Sequence, residues 1–442
     1  MHFKSPSIST FRSPTSSTCR NQPTPEPRNL QSSAAELAFR TCGPTDSDHH
    51  GHMRIDDTAC VVGGGIGGLA TALALHRKGW DVTVLERGAE LRASGGGIGL
   101  TPNGLLGLDA IGIGDKVRAC SVVQEHGGIR NPRGKWLAKT DLDFVESRFG
   151  VGIRALLRAD LLSALHSALP AGSVRFQSSV IGVQGGGSAF PAVVTTSSGD
   201  SFESDIIVGA DGIRSSVRSF VEPTHPGIRS CASRSWRFVV PRSGLDVVAG
   251  ETWGTGARFS ILPISDDMVH CSAILRSSDD SGSATTAAIL AAAYGDWHDP
   301  IPSLIARSTA AEPYYTCIEE LTRPLSKFYF RRMVVVGDAA HAMTPNVGSA
   351  NLAIEDAIEL AHVLGQPGAQ RSAALVEYDR LRRRRTTALG RLSRRTGSVA
   401  ECTSPVAVAI RDTAIRLGGR IPKPLTARSL DRVIGWRPPV CS

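Results

Sequence analysis

The chain has 442 residues, 41% apolar and 20% charged, which reads as soluble, globular and long enough for two or three domains with large cores. Much of the basic excess behind its formal net charge of +8 falls late, in Arg380, Arg382, Arg383, Arg384, Arg385, Arg391, Arg394 and Arg395; this reads as the solvated face of a helix, and with no interleaved aromatics it does not indicate nucleic acid or anionic lipid as a partner. Nine cysteines, among them Cys60, Cys120, Cys271 and Cys317, form no C-x-x-C pair, no His cluster stands at ligand spacing and no apolar run reaches bilayer length, so a reduced, cytoplasmic chain without structural metal or membrane span is expected.

Residues 1–53 are rich in Ser, Thr and Pro and hold no acid before Glu26. Such a segment cannot bury enough to fold, and a disordered extension is expected. Its basic, Ser-rich start is that of an organelle transit peptide; a translation start set too early, with Met53 as the true one, is the rival reading.

From Thr58 to Glu86 the pattern is strand, glycine turn, helix and second strand. Ala59 to Val62 is the all-apolar run of a strand covered on both faces. Gly63, Gly65 and Gly68 satisfy G-x-G-x-x-G: the first permits the tight turn, the second lets amides approach a pyrophosphate, and the third lets helix and strand pack closely. Lys78 and Gly79 stop the helix. Asp81 to Leu85 then delivers Glu86 about 20 residues past the glycines, where a carboxylate can take both hydroxyls of an adenosine ribose. An acid there repels a 2′-phosphate, so the pattern predicts FAD or NAD rather than NADP; a Gly-rich turn with a solvated Glu86 is the alternative.

A second glycine-rich loop, SGGGIGLTPN, spans Ser94 to Asn103 and precedes a helical stretch at 104–118. Leu156 to Leu169 places leucines on one face and reads as an amphipathic helix. Arg158 lies in its first turn, within reach of a phosphate or simply exposed. Short strands follow from Val174, ending in the buried run Asp205 to Ala210. Asp211 and Gly212 come next, and an Asp between strand and helix is ordinarily an N-cap.

Residues 226–320 carry alternating runs, Arg234 to Pro241, Arg258 to Ile264 and Met268 to Leu275, that predict an antiparallel sheet, with a helix over Ala284 to Tyr294. Met333 to Val336 is a third all-apolar strand, followed by Gly337, Asp338 and His341, then by Asn346 to Asn351 and a helix from Leu352 to Gly365. The rest, 366–442, reads as a basic helix through Thr396, a second helix near Val406 to Leu417 and a Pro-rich tail. A lid, a homodimer contact and plain surface covering are all open for it.

Three of these units resemble the FAD-dependent aromatic monooxygenases, the para-hydroxybenzoate hydroxylase-like family: GGGIGG at 63–68 with Glu86, DIIVGADGIRSSVR at 205–218, and GDAAHAMTPNVG at 337–348. LLRADLL around Arg158, the GIGLTPN loop and WRFVVP at 236–241 fit as well, so the likeness covers residues 55–365. It implies an α/β fold: a discontinuous Rossmann-like FAD-binding domain (54–225 and 321–365), an inserted antiparallel-sheet substrate domain (226–320), and C-terminal helices (366–442). By the same resemblance Gly63, Gly65 and Gly68 cradle the FAD pyrophosphate, Glu86 holds the adenosine ribose and Arg158 the phosphates or nearby backbone. Gly337 and Asp338 take the ribityl side, Asp211 and Gly212 face FAD and the transient NADH or NADPH, and Pro345 to Gly348 lie along the isoalloxazine ring. His341 is structural.

The implied activity is hydroxylation or epoxidation of a small aromatic or polycyclic substrate by O2 through a flavin hydroperoxide, in secondary metabolism or aromatic breakdown. Substrate contacts are sought at Arg237, Arg258, His270 and Tyr315 in the sheet. One departure stands out: PNVGSAN replaces the family's P-N-x-G-Q-G-A-N, one residue shorter and without the second glycine. An FAD protein that no longer hydroxylates, serving as an oxidase, a cyclisation-guiding protein or a partner subunit, is therefore the second reading.

Overall fold

The chain is seen in a computed structural model that describes residues 57–439 apart from 92–95, 188–189, 277–284, 310–312, 367–369 and 419–422. The expected N-terminal extension, 1–53, lies outside the described residues. The described residues form one unit by their internal contacts.

The central layer is a six-stranded sheet in the order Tyr329–Phe330, Met333–Val335, Ile206–Gly209, Thr58–Val62, Asp81–Leu85, Val174–Arg175. Every neighbouring pair is parallel except the first. A parallel strand must be covered on both faces, and the apolar runs behave accordingly: Val61, Ile207, Val208 and Val334 are wholly buried. The helix Ile66–His76 packs on this sheet, and Ser349–Leu364 packs on that helix, within one large core.

Parallel pairing has a consequence for function. The strands ending at Val62, Gly209 and Val335 are adjacent and point the same way, so the segments after them, Gly63, Asp211 and Gly337, emerge at one end of the sheet. Crevices outside the carboxyl ends of such strands are where open α/β sheets bind ligands.

The second layer is a seven-stranded sheet in the order Tyr314–Leu321, Ile228–Pro241, Met268–Arg276, Ala257–Pro263, Gly250–Trp253, Gly128–Arg130, Trp136–Lys139. The predicted strands thus pair antiparallel, and the sheet also recruits residues 128–139 from the preceding stretch. Alternation sorts its faces. Trp236, Phe238, Val240, Phe259 and Cys271 point one way and form a core with the helices Thr286–Tyr294 and Ile301–Ser308. Ser235, Arg237, His270 and Ser272 point the other way, toward the strand ends of the first sheet.

Several expectations change. The helix expected over 104–118 is two, Pro102–Ala110 and Gly114–Ala119, broken at Gly112, whose φ of +72° a side chain resists. The leucines at 156 and 157 belong to a strand, Arg154–Leu157, with Leu156 opposite Ile98; the helix starts only at Arg158 and runs to His166. A residue buried between neighbours satisfies strand and helix spacing alike over so short a run. The basic helix is Arg371–Ala400, the next Pro405–Gly418, and a third helix, Lys423–Ile434, stands where a tail was expected.

The arginine run is also not a merely solvated face. Arg382 is fully buried, with Nη1 2.7 Å from Glu355 and Nε 2.6 Å from Asp356. Arg385 reaches Glu355 at 2.7 Å and Arg394 reaches Glu320 at 2.9 Å. Sequence periodicity counts charges but does not see the acids on the facing helix and strand that neutralise them.

Candidate active site

At the first strand end, Gly63 has φ +111°, and a Cβ there would lie 2.5 Å from the Ala210 carbonyl oxygen. A Cβ on Gly68 would come within 1.9 Å of the Gly63 oxygen, so helix and turn can touch only because both are glycine. Gly65 differs: a Cβ there meets no protein atom within 4 Å. It is the N-cap of Ile66–His76 and provides no side-chain cap, and no acid stands in the first turn. The helix therefore presents uncapped amides and its positive end to open space, a ready anion site. Glu86 closes one side, its Oε2 accepting from the Gly64 amide at 2.7 Å and its Oε1 from Gly88 at 2.8 Å.

At the second strand end, the Asp211 carboxylate serves the following helix. It accepts from Ser215 Oγ at 2.5 Å, from Ser216 N at 2.7 Å and from Ser216 Oγ at 2.9 Å. The N-cap itself is Ser215, whose Oγ accepts from the Arg218 amide at 2.9 Å, so Asp211 supports the helix start from outside instead of capping it as expected. Gly212 stands beside it at φ +79° with nothing within 4 Å of its Cβ position. Arg218, buried, donates to Ala339 O at 3.2 Å and Ile213 O at 2.6 Å, tying the second unit to the third.

The third unit is fixed from behind. Asp356 accepts from the Gly337 amide at 2.8 Å and meets His341 Nε2 at 2.6 Å, so His341 is a structural partner held inside the fold. Burial pushes the Asp356 carboxyl up, but the charges of and hydrogen bonds from His341 and Arg382 outweigh it and hold it below the usual carboxylate range. Asp338, one residue past Gly337, stays exposed and faces the cleft. The PNVGSAN segment ends in an early helix start: Gly348, in the left-handed region at φ +73°, is the N-cap of Ser349–Leu364. Asn351 pins it to the GIGLTPN loop, donating to Gly99 O at 3.1 Å and accepting from Thr101 N at 3.3 Å.

Between these ends and the large sheet lies a cavity of about 800 Å³. Of the residues singled out by sequence, Arg158, Arg237, Arg258, His270, Asp338, Pro345 and Gly348 line it. Tyr315 does not. It packs on Trp236, ring centroids 5.3 Å apart, on the reverse face of its strand, while Tyr314 and Thr316 face the cavity. A one-residue shift inverts a strand's faces, and two adjacent tyrosines give the alternation nothing to choose by. Ser235, Ser260, Ser272 and Thr316 were also passed over, although each lies at an even spacing from an identified cleft residue on its own or the paired strand.

The cleft chemistry is cationic and partly unsatisfied. Burial lowers the Arg158 guanidinium from its ordinary value, with the Asp338 carboxylate opposing the change and Arg237 adding to it. Burial likewise lowers Arg237, which lies over the Tyr314 ring at 5.2 Å and reaches Thr316 Oγ1 at 3.3 Å. Arg237 Nε, His270 Nδ1 and Arg258 Nη2 are buried without a hydrogen-bond partner. Burial, then the neighbouring Arg237, pushes His270 down to about 4, so the imidazole is neutral at pH 7. Buried polar groups are normally satisfied, so these orphans mark where ligand atoms belong. The open space at Gly65, the bare helix start and the free donors all fit a dinucleotide that runs from Glu86 to the cleft.

Comparisons with known proteins agree. The family model described as FAD binding domain matches residues 56–393. Aurachin C monooxygenase/isomerase of Stigmatella aurantiaca is 30% identical over 371 residues, 83% of this chain and 95% of that protein. The 2-heptyl-3-hydroxy-4(1H)-quinolone synthase of Pseudomonas aeruginosa is 33% identical over 368 residues, 81% of this chain and 94% of that one. Among solved structures, Klebsiella pneumoniae HpxO complexed with FAD and uric acid has a TM-score of 0.78 at 24% identity, over 85% of this chain and 96% of that one, a likeness of fold. With three strand ends opening at one edge of the sheet and a family match across most of its length, the chain belongs to the FAD-binding-domain family, as one of its FAD-dependent aromatic monooxygenases.

Proposed function

We propose that the protein uses NADH or NADPH and O2 to hydroxylate or epoxidise a small aromatic or polycyclic molecule held in the cleft between its two sheets. The observation that carries this reading is the cavity of about 800 Å³, walled on one side by Asp338, Pro345 and Gly348 and on the other by Arg237, Tyr314 and His270. It has room for a flavin ring and a bicyclic substrate side by side, the size range of pockets for such ligands.

In this reading the amides after Gly65 hold the FAD pyrophosphate, Glu86 the ribose, Asp338 the ribityl chain, and residues 345–348 the ring, with Asp211 and Gly212 on the side where the nicotinamide comes and goes. Bound there, FAD supplies two-electron reduction by the nicotinamide and transfer of one oxygen atom to an electron-rich ring. The protein's share is positioning. Arg237 and Tyr314 orient the substrate, the neutral His270 limits positive charge near it, and Ile261, Leu262 and Ile274 keep water from the reacting edge. The six free cysteines among the described residues suit a reducing compartment such as the cytoplasm.

The test is substrate-stimulated oxidation of NADH or NADPH by the purified yellow protein over a panel of hydroxylated and heterocyclic aromatics. The expected result is a product one oxygen atom heavier than its substrate. Stimulated oxidation that yields only hydrogen peroxide across the panel favours the second reading, an FAD protein whose shorter PNVGSAN loop no longer supports hydroxylation.

A further inference from the structure

The cleft continues along the same face of the large sheet. A second chamber of about 340 Å³ adjoins it there, lined in part by Cys231, Ser233, Glu320 and Glu401. Arg258, Ile318, Pro345 and Asn346 line both cavities and so form the wall between them. Two of these four carry an orphaned, buried polar atom: Arg258 Nη2, a donor, and Asn346 Oδ1, an acceptor.

The orientation of each is fixed by its other bonds. Arg258 is 3% exposed; its Nε meets Glu401 at 3.1 Å and its Nη1 meets Glu251 at 3.5 Å. Glu401 is held in turn by Ser233 Oγ at 2.5 Å. Asn346 gives Nδ2 to Ser393 O at 2.8 Å and to Thr344 Oγ1 at 3.1 Å, so its amide cannot turn over without losing both bonds. What remains is one N–H donor and one carbonyl acceptor on the same wall, the acceptor carried by the loop we assign to the flavin ring.

Pairing narrows what fits. One guanidinium faces two carboxylates, a formal charge of −1 for that trio, while the chamber's Arg229 and Arg394 share the single carboxylate of Glu320 and Arg276 also lines it. A carboxylate brings no proton for the Asn346 acceptor and sets its charge against Glu251 and Glu401, whereas a neutral amide edge both accepts from Arg258 and donates to Asn346.

We propose that Arg258 and Asn346 form a substrate subsite for a neutral donor–acceptor edge, a carbonyl next to an N–H or O–H, and that the adjoining chamber receives the substituent beyond that edge. The inference deepens the proposed function and rests on it for the placement of the reacting ring. It selects neutral oxo- or amide-bearing aromatics over carboxylate-bearing ones, and it makes Glu401 a positioning residue contributed by the C-terminal helices, which sequence alone assigned no chemical part.

The experiment titrates the FAD-loaded protein with salicylamide and with salicylate, a neutral and an anionic form of one ring, and follows the flavin absorption spectrum. Salicylamide should bind at least about tenfold more tightly, the scale on which a site rejects a charge it cannot pair. Glu401→Gln and Glu251→Gln each remove one repelling charge while keeping an acceptor for Arg258, and each should shrink that preference by about threefold or more. Glu251 is only partly buried, so its variant serves if the Glu401 variant does not fold. Equal or reversed affinity, no binding of salicylamide at millimolar concentration, or a ratio unmoved by Glu251→Gln overturns the subsite. Binding is read without turnover, so an intact preference in a protein that never oxidises NADH or NADPH would count against the proposed function and leave the subsite standing.

Discussion

Gly65 and Gly68 sit three residues apart in one motif and do opposite jobs. No protein atom lies within 4 Å of the Gly65 Cβ position, space we assign to the ligand, while Gly68 is hemmed to 1.9 Å by the Gly63 carbonyl. Gly65→Val should therefore purify folded and colourless, with the same thermal transition as FAD-free wild type. Gly68→Val should lose about 3 kcal/mol or more of stability through overpacking, whether or not FAD is added. Flavin absorbance per protein and a melting curve separate the two. His270 gives a second residue-scale expectation. Its folded value of about 4 lies below the ordinary 6.5, so the unfolded chain takes up a proton between those values and the folded chain does not. Stability then falls as pH drops through that window, by about 3 kcal/mol for a shift of this size. Urea denaturation from pH 7 to 4 should show the loss in wild type and a flatter profile in His270→Gln. The open space at Gly65 was legible because the motif asks for it. His270 stood out in sequence only as a polar residue in a strand, and its burial with an unpaired Nδ1 depends on Gly96 and Arg237, which approach it from other parts of the chain.

At the scale of elements, the third unit depends on a buried network that links helix 349–364, helix 371–400 and the strand end at Gly337. Asp356 bonds the Gly337 amide, His341 and Arg382 at once. Its carboxyl is held below the usual range, so its contribution is present at neutral pH and fades as pH falls below about 4, the ordinary carboxylate value, a window beneath that of His270. Asp356→Asn removes one of the two charges that neutralise Arg382 and should destabilise the fold by about 3–5 kcal/mol, read as a shift in urea midpoint at pH 7. This is also where sequence reading fell short. The helix itself was visible from its spacing, but the pairing of Arg382, Arg385 and Arg394 with Glu355, Asp356 and Glu320 spans 26 to 74 residues of chain. No local pattern encodes contacts of that range. Tyr314 and Tyr315 show the same limit within one strand: the strand was implied, yet which tyrosine faces inward depends on its register against Arg237 and Trp236.

For the molecule as a whole, the parallel sheet brings three distant segments to one edge, and the antiparallel sheet closes over them. That a glycine and an acid stand at each of the three strand ends was readable because a strand–turn–helix unit with close packing leaves few choices. The contribution of the C-terminal helices was not. Glu401 reaches Arg258, and Arg411 donates to Trp253 O, Gly254 O and Ala400 O, so the last helices brace the sheet strand that lines the cleft. The central claim is that the three strand ends hold a single FAD whose ring reaches the cleft. A crystal structure of the FAD-loaded protein tests it most directly. The account predicts a pyrophosphate on the amides following Gly65, the adenosine ribose at Glu86, and the isoalloxazine ring between residues 345–348 and Arg237. A pyrophosphate elsewhere, or a ring that stays outside the space between the two sheets, would contradict it.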